Sequence, residues 1–194
     1  MNRKMKGIFL IVLGLVLAFI GAGIYASYES RANAAKNNAE ILLQDVQRDL
    51  ERRKMAAVIT EAPEGQMPQT SVDGHAVIGI LQVEEAGIRL PVLGSWSYEL
   101  LEHGPCRYSG SLQTEDLVLL GHNYKGHLAD LDQAELGDLI DFTDAEGTVH
   151  SFKIAETAII QPTDVQALSA GSYPLTIFTC TPGGQSRYVV YCEK

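Results

Sequence analysis

The chain has 194 residues, 20% of them charged, and a formal net charge of −9, enough for one ordinary domain with an appendage. The charge is uneven: residues 1–74 hold nine Lys and Arg against eight Asp and Glu, whereas residues 75–194 hold six against sixteen. An acidic folded half cannot neutralise a row of phosphates, which excludes nucleic-acid binding as a main function, and three cysteines are too few for a disulfide scaffold.

Residues 7–26, GIFLIVLGLVLAFIGAGIYA, carry no charge. At about 1.5 Å rise per residue they match the roughly 30 Å core of a bilayer. Three cations in residues 1–6 predict a cytoplasmic N-terminus (1–6), a single-pass transmembrane signal anchor (7–26) and an extracellular remainder. A cleaved signal peptide is the alternative, with Ala32-Asn33-Ala34 as the small-residue site. Both readings put residues 75–194 outside the cytoplasmic membrane.

Residues 27–74 read as an extracellular stalk helix and linker. Ala39, Leu42, Leu43, Val46 and Leu50 recur at helical spacing over 29–60. That narrow stripe can lie on the domain or pair with another copy, but a semi-exposed stalk is the expectation. Residues 61–74, with two Pro and two Gly, read as the linker.

From residue 75 the pattern changes to short apolar runs. AVIGILQV (76–83) and IRLPVL (88–93) flank a turn, LVLLG (117–121) is continuous, LIDFTD (139–144) and TVHSFKIAETAII (148–160) flank another turn, and LTIFT (175–179) and RYVVY (187–191) form the last pair. Helical pieces are short, near 96–102, 126–134 and 163–169. The pattern predicts a mostly β fold of seven or eight strands, a small barrel or sandwich. Pro91 places its strand at an edge or a bulge.

The last hairpin carries the chemistry. Thr176-Ile-Phe-Thr-Cys180 ends a strand on a thiol, Pro182-Gly183-Gly184 suits a turn, and Arg187 opens the next strand. Antiparallel pairing sets Cys180 opposite Arg187, whose fixed charge can stabilise a developing oxyanion. The same register separates Cys180 from Cys192, so those two do not bridge. A Cys106–Cys192 bridge and three reduced thiols both remain open. The strand 117–121 ends at His122-Asn123-Tyr124. Cysteine and histidine converging from two strand ends can supply nucleophile and general acid/base. His75, His103, His127 and His150 receive no role. No metal site is expected, because His122 and His127 do not share a helix face and no Cys-x-x-Cys occurs.

Thr176-Ile-Phe-Thr-Cys180 followed by Arg187, with Gly121-His122 upstream and an N-terminal anchor, resembles the sortases, cysteine transpeptidases of the outer face of Gram-positive membranes. The resemblance covers residues 76–193, with Ile177 where the family has leucine. It implies a closed sortase-type β-barrel over 75–194 as the catalytic domain. It also implies that Cys180 attacks the threonine carbonyl of a C-terminal Leu-Pro-x-Thr-Gly-like sorting motif on a secreted protein. His122 and Arg187 would be its catalytic partners, and Thr179 and Asn123 substrate-binding residues. The acyl group would pass to an amine of a peptidoglycan precursor or a pilin, with no cofactor. Gly-His-Asn resembles class B, Cys-Thr-Pro resembles classes C and D, and no Asp-Pro-aromatic lid precedes residue 75. The balance implies a class D-like or class B-like enzyme. Two other functions fit the same residues: an extracellular thiol peptidase with water as acceptor, and a non-catalytic cell-envelope binding module.

Overall fold

The computed structural model describes residues 3–56, 67–168 and 173–194. A single helix, α1, runs from Arg3 to Ala56, so the apolar anchor and the expected stalk are one element. Residues 57–60 of the expected stalk helix and 61–66 of the expected linker lie outside the described residues. Over its first half α1 is long and apolar enough to cross a membrane, with a mean hydropathy of 2.7 in its most apolar window.

The second half of α1 is not a semi-exposed stalk. Ala32, Ala35, Ala39, Leu42, Val46 and Leu50 are buried, spaced three and four apart along one face. Leu42, Val46 and Leu50 pack with Val72, Val77, Ile80, Leu93, Leu101 and Cys106. Each such branched side chain contributes about 1.5–3 kcal/mol when fully buried, which outweighs leaving the helix free in water. The alanines let the backbone approach closely. The Ala35 carbonyl can only accept, so His127 Nε2–H is the donor to it across 3.1 Å. Farther along, Thr70 of the first strand donates its hydroxyl to Asp49 across 3.0 Å, and Arg53 donates to the same Thr70.

The sheet has nine strands: β1 (Thr70–Val72), β2 (His75–Val83), β3 (Ile88–Leu93), β4 (Cys106–Ser109), β5 (Leu117–Gly121), β6 (Leu139–Asp144), β7 (Val149–Ile160), β8 (Leu175–Cys180) and β9 (Arg187–Glu193). Eight of them close a barrel in the order β2-β3-β4-β5-β8-β9-β7-β6, with β6 pairing back onto β2. The three-residue β1 hairpins onto β2 through Asp73 and Gly74, both at positive φ. Residues 70–72, read as linker from their polarity, therefore belong to the sheet. The other strand absent from the sequence reading is β4, Cys-Arg-Tyr-Ser, which has no apolar alternation. Pro91 pairs with Ile80 of β2, whereas β3 meets β4 only at Leu93. The missing N–H of Pro91 thus faces no ladder partner, as an edge position requires.

Helical pieces between strands are brief: 3-10 turns at Leu100–Glu102 and Ala129–Gln133, and one turn of helix, α2, at Val165–Leu168. Both faces of β8 are covered. Leu175 and Ile177 point into the barrel with Leu117, Leu119 and Val190. Phe178 lies on the outer face with Val118, Val189, Tyr191 and Leu168 of α2. That double burial is why residues 175–179 read as an unbroken apolar run.

His127 is 2% exposed, and its burial pulls the ring's affinity for a proton below the usual level, partly opposed by its bond to Ala35. In the unfolded chain the ring protonates normally near pH 6.5. Below that pH the unfolded state binds more protons, so acid weakens the fold. Between about pH 7.5 and pH 5.5 the denaturation free energy of the wild type is expected to fall, and His127→Gln is expected to make that fall smaller. An unchanged slope in the variant contradicts a buried, neutral ring.

Candidate active site

The β8–β9 hairpin sets two side chains side by side. Thr181-Pro182-Gly183-Gly184 turns with the Gly184 N–H donating to the Thr181 carbonyl at 2.8 Å, and Gly183 sits at φ 83°. Proline followed by a positive-φ glycine is the sequence chemistry of a type II turn. The Thr181 hydroxyl donates to the Ser186 carbonyl and accepts from the Ser186 N–H, closing the loop. The strands then enter in register, with Cys180 directly opposite Arg187. Arg187 Nη1 donates to the carbonyls of Gly184 and Ser186 at 3.2 and 3.1 Å. Arg187 also lines the cleft that holds Cys180.

The third side chain arrives through a parallel pairing. β5 and β8 run in register from Leu117↔Leu175 to Gly121↔Thr179, so the residues that follow, His122 and Cys180, leave the two strand ends at the same level. The Thr179 hydroxyl donates to the Gly121 carbonyl at 2.9 Å and pins that register. Gly121 has no room for a side chain: a Cβ there would lie 2.5 Å from Leu128 Cδ1. Leu128 is itself fully buried, so Gly121 lets the loop 122–128 fold back tightly.

His122, Cys180 and Arg187 line one cleft of about 270 Å³ on the outer face of the barrel. Its apolar walls include Trp96, Tyr98, Tyr108, Phe178 and Leu168. Trp96 is 43% exposed and Tyr98 79%, an open aromatic rim. His122 stacks on Tyr124, with ring centroids 4.5 Å apart and planes 19° from parallel. Its Nε2 is buried without a hydrogen-bond partner among the described residues and lies 3.8 Å from Glu102 Oε1. Burial holds the His122 imidazole below its usual pKa, and the Glu102 carboxylate offsets part of that. The ring is therefore neutral near pH 7, with a carboxylate beside it to receive positive charge.

A second cleft, about 560 Å³, meets the first at Cys180. Asn123 and Thr179 line it, together with Asp132, Tyr188 and Tyr28 of α1. Thr179 is 4% exposed and its hydroxyl is engaged by Gly121, so its polar atom serves strand registration. Sequence reasoning missed Glu102, Tyr28 and the stacked Tyr124. Glu102 ends a short helical piece with no pattern tying it to a histidine twenty residues on, and nothing in the helix marks Tyr28 as an active-site neighbour.

Cys106 and Cys192, left open as a pair, are free thiols, both fully buried, with burial pushing each up to about 12. Cys180 is the free cysteine with partial exposure.

Comparison with known proteins identifies the family. Residues 81–194 match the family model of the sortase domain, and the chain belongs to the sortase family. It is an enzyme of the sortase type, a cysteine transpeptidase. Its fold is similar to a Clostridium perfringens sortase D5 transpeptidase, at 19% identity and a TM-score of 0.55 over 83% of this chain and 98% of that one. It is also similar to a Clostridium perfringens sortase C solved with the C-terminal cell wall sorting motif, at 16% identity and a TM-score of 0.56 over 87% and 97%. A third is Streptococcus pneumoniae sortase C-3, at 21% identity and a TM-score of 0.53 over 84% and 89%. No curated protein matches the sequence.

Because thiolate is the reactive form, the two buried thiols should be inert and Cys180 accessible. Brief treatment of the folded protein with iodoacetamide is expected to add one label, at Cys180, and treatment after denaturation three. Labelling of Cys106 or Cys192 in the folded state contradicts the packing described.

Proposed function

We propose that the protein is a membrane-anchored sortase that cleaves a C-terminal sorting motif of the Leu-Pro-x-Thr-Gly type and transfers the acyl group to an amine at the cell envelope. The observation that carries this reading is the double register, Cys180↔Arg187 and Gly121↔Thr179, which brings sulfur, imidazole and guanidinium to one cleft.

In this reading neutral His122 takes the Cys180 thiol proton, and the thiolate attacks the threonine carbonyl carbon. The C–S bond forms as the carbonyl becomes an oxyanion, which the Arg187 guanidinium stabilises. The oxyanion collapses, the C–N bond to the following residue breaks, and the imidazolium of His122 protonates the departing amine. Glu102, 3.8 Å from Nε2, stabilises the imidazolium in between. An acceptor amine then attacks the thioester and gives its proton to His122, the C–S bond breaks, and the imidazolium returns that proton to the Cys180 thiolate. Sulfur and peptide energy are both returned, so no cofactor is consumed.

The acceptor amine belongs to a peptidoglycan precursor or a pilin lysine, and the donors are secreted proteins carrying the motif. Asn123, on the second cleft, contacts substrate in this reading, and Thr179 acts by holding the strand ends. The open aromatic rim and the Cys-Thr-Pro turn favour a class D-like enzyme over a class B-like one. The apolar half of α1 spans the cytoplasmic membrane, with the N-terminus inside and the barrel outside, in a Gram-positive cell.

Mass spectrometry of the protein with Leu-Pro-x-Thr-Gly peptides tests this. The wild type is expected to form a Cys180 acyl adduct, and adding an amine to convert it to a ligated peptide. Cys180→Ala abolishes the adduct, and Arg187→Ala slows it roughly 10²-fold. No adduct with any Leu-Pro or Asn-Pro motif overturns the substrate class, and hydrolysis with no ligated product makes the protein a thiol peptidase.

A further inference from the structure

The helix that leads out of the apolar segment also touches the active site. Tyr28, on α1 two residues beyond the uncharged stretch, meets Tyr124 edge to face with ring centroids 5.7 Å apart. Tyr124 in turn stacks on His122 at 4.5 Å. About two turns on, Ala35 accepts from His127. Lys36 lies so close to the loop that a Cβ on Gly126 would come within 2.6 Å of its Cγ. Farther along, Leu42 and Leu43 pack with Leu100 and Leu101 of the 3-10 turn that carries Glu102. Tyr124, the loop 122–128 and the 3-10 turn that carries Glu102 therefore all rest on α1.

Stacking fixes a ring's plane, and an edge-to-face partner fixes the stack; such aromatic pairs contribute about 0.5–1.5 kcal/mol beyond burial. A proton donor must point at its acceptor, and Nε2 has no hydrogen bond among the described residues to orient it. The stack on Tyr124 is thus the contact that fixes the plane of the ring.

We propose that α1 is a positioning element of the active site: Tyr28 braces Tyr124, and Tyr124 holds the His122 imidazole toward Cys180. Anchoring the protein and orienting its general acid/base are then tasks of the same helix. This rests on the role given to His122 above. Besides Tyr28 and Tyr124 themselves, the charged and titratable groups that face this ring or its stacking partner are Glu102, His127, Cys180, Arg187 and, through Tyr124, Arg31. None of them is altered by substituting Tyr28.

The test uses the full chain in detergent micelles with histidine labelled at Cε1, so that five ring signals titrate by NMR, alongside the rate of Cys180 acylation by a sorting peptide. Tyr28→Ala is expected to let water reach the ring, raising the His122 midpoint toward 6.5, and to slow acylation about three- to tenfold with little change in KM. Tyr28→Phe keeps the ring contact and should restore both. Ile41→Ala, on the same helix and 58% exposed, should match the wild type. Tyr124→Ala should exceed Tyr28→Ala in both readouts. An unmoved His122 midpoint in Tyr28→Ala, or an equal shift in Ile41→Ala, overturns the inference, even where acylation proceeds. A midpoint that moves in a protein forming no adduct leaves the positioning intact and removes the sorting function instead.

Discussion

The parallel pairing of β5 with β8 is the constraint on which the site depends. Its register, Leu117↔Leu175 through Gly121↔Thr179, ends both strands at one level. The bond from Thr179 to the Gly121 carbonyl, itself inside the barrel wall, resists a slip that would move His122 one residue away from Cys180. A slip would also turn Ile177 out of the core and Phe178 into it, so the apolar packing on both faces enforces the same register. The antiparallel hairpin to β9 then adds Arg187 at no further cost, because a loop closed by Pro182, Gly183 and the Thr181 hydroxyl leaves a single pairing for Cys180.

Burial has opposite consequences for the two buried thiols and the imidazole. Complete burial raises Cys106 and Cys192 to about 12 and removes them from chemistry at neutral pH. Partial burial lowers His122, which keeps it a base at rest, while Glu102 beside it makes the charged form attainable in passing. An imidazole that must both accept and return a proton in one cycle needs that intermediate setting.

Much of this was legible before any coordinates. The strand ends at Gly121 and Cys180, the opposition of Cys180 and Arg187, and the turn at Pro182-Gly183 follow from apolar runs and turn chemistry, which are local properties. The family pattern supplied the closed barrel that strand counting alone left as barrel or sandwich. What stayed hidden was non-local. The stripe at Ala32, Ala35, Ala39, Leu42 and Val46 announces a helix with a buried face but not the surface that buries it, so a docked helix read as a stalk. Strands β1 and β4 are short and polar, and exist because neighbours offer them partners. Glu102, Tyr28 and Tyr124 reach His122 only through tertiary packing, which leaves no spacing to read.

The central claim is that sulfur, imidazole and guanidinium act on one peptide carbonyl. A crystal structure of the protein with a Leu-Pro-x-Thr aldehyde analogue added to Cys180 as a hemithioacetal tests it most directly. The expected result is a C–S bond at Cys180, with the carbonyl-derived oxygen within hydrogen-bonding distance of the Arg187 guanidinium and the His122 ring beside the adduct. A ligand bound through another residue, or an oxygen that Arg187 does not approach, contradicts it.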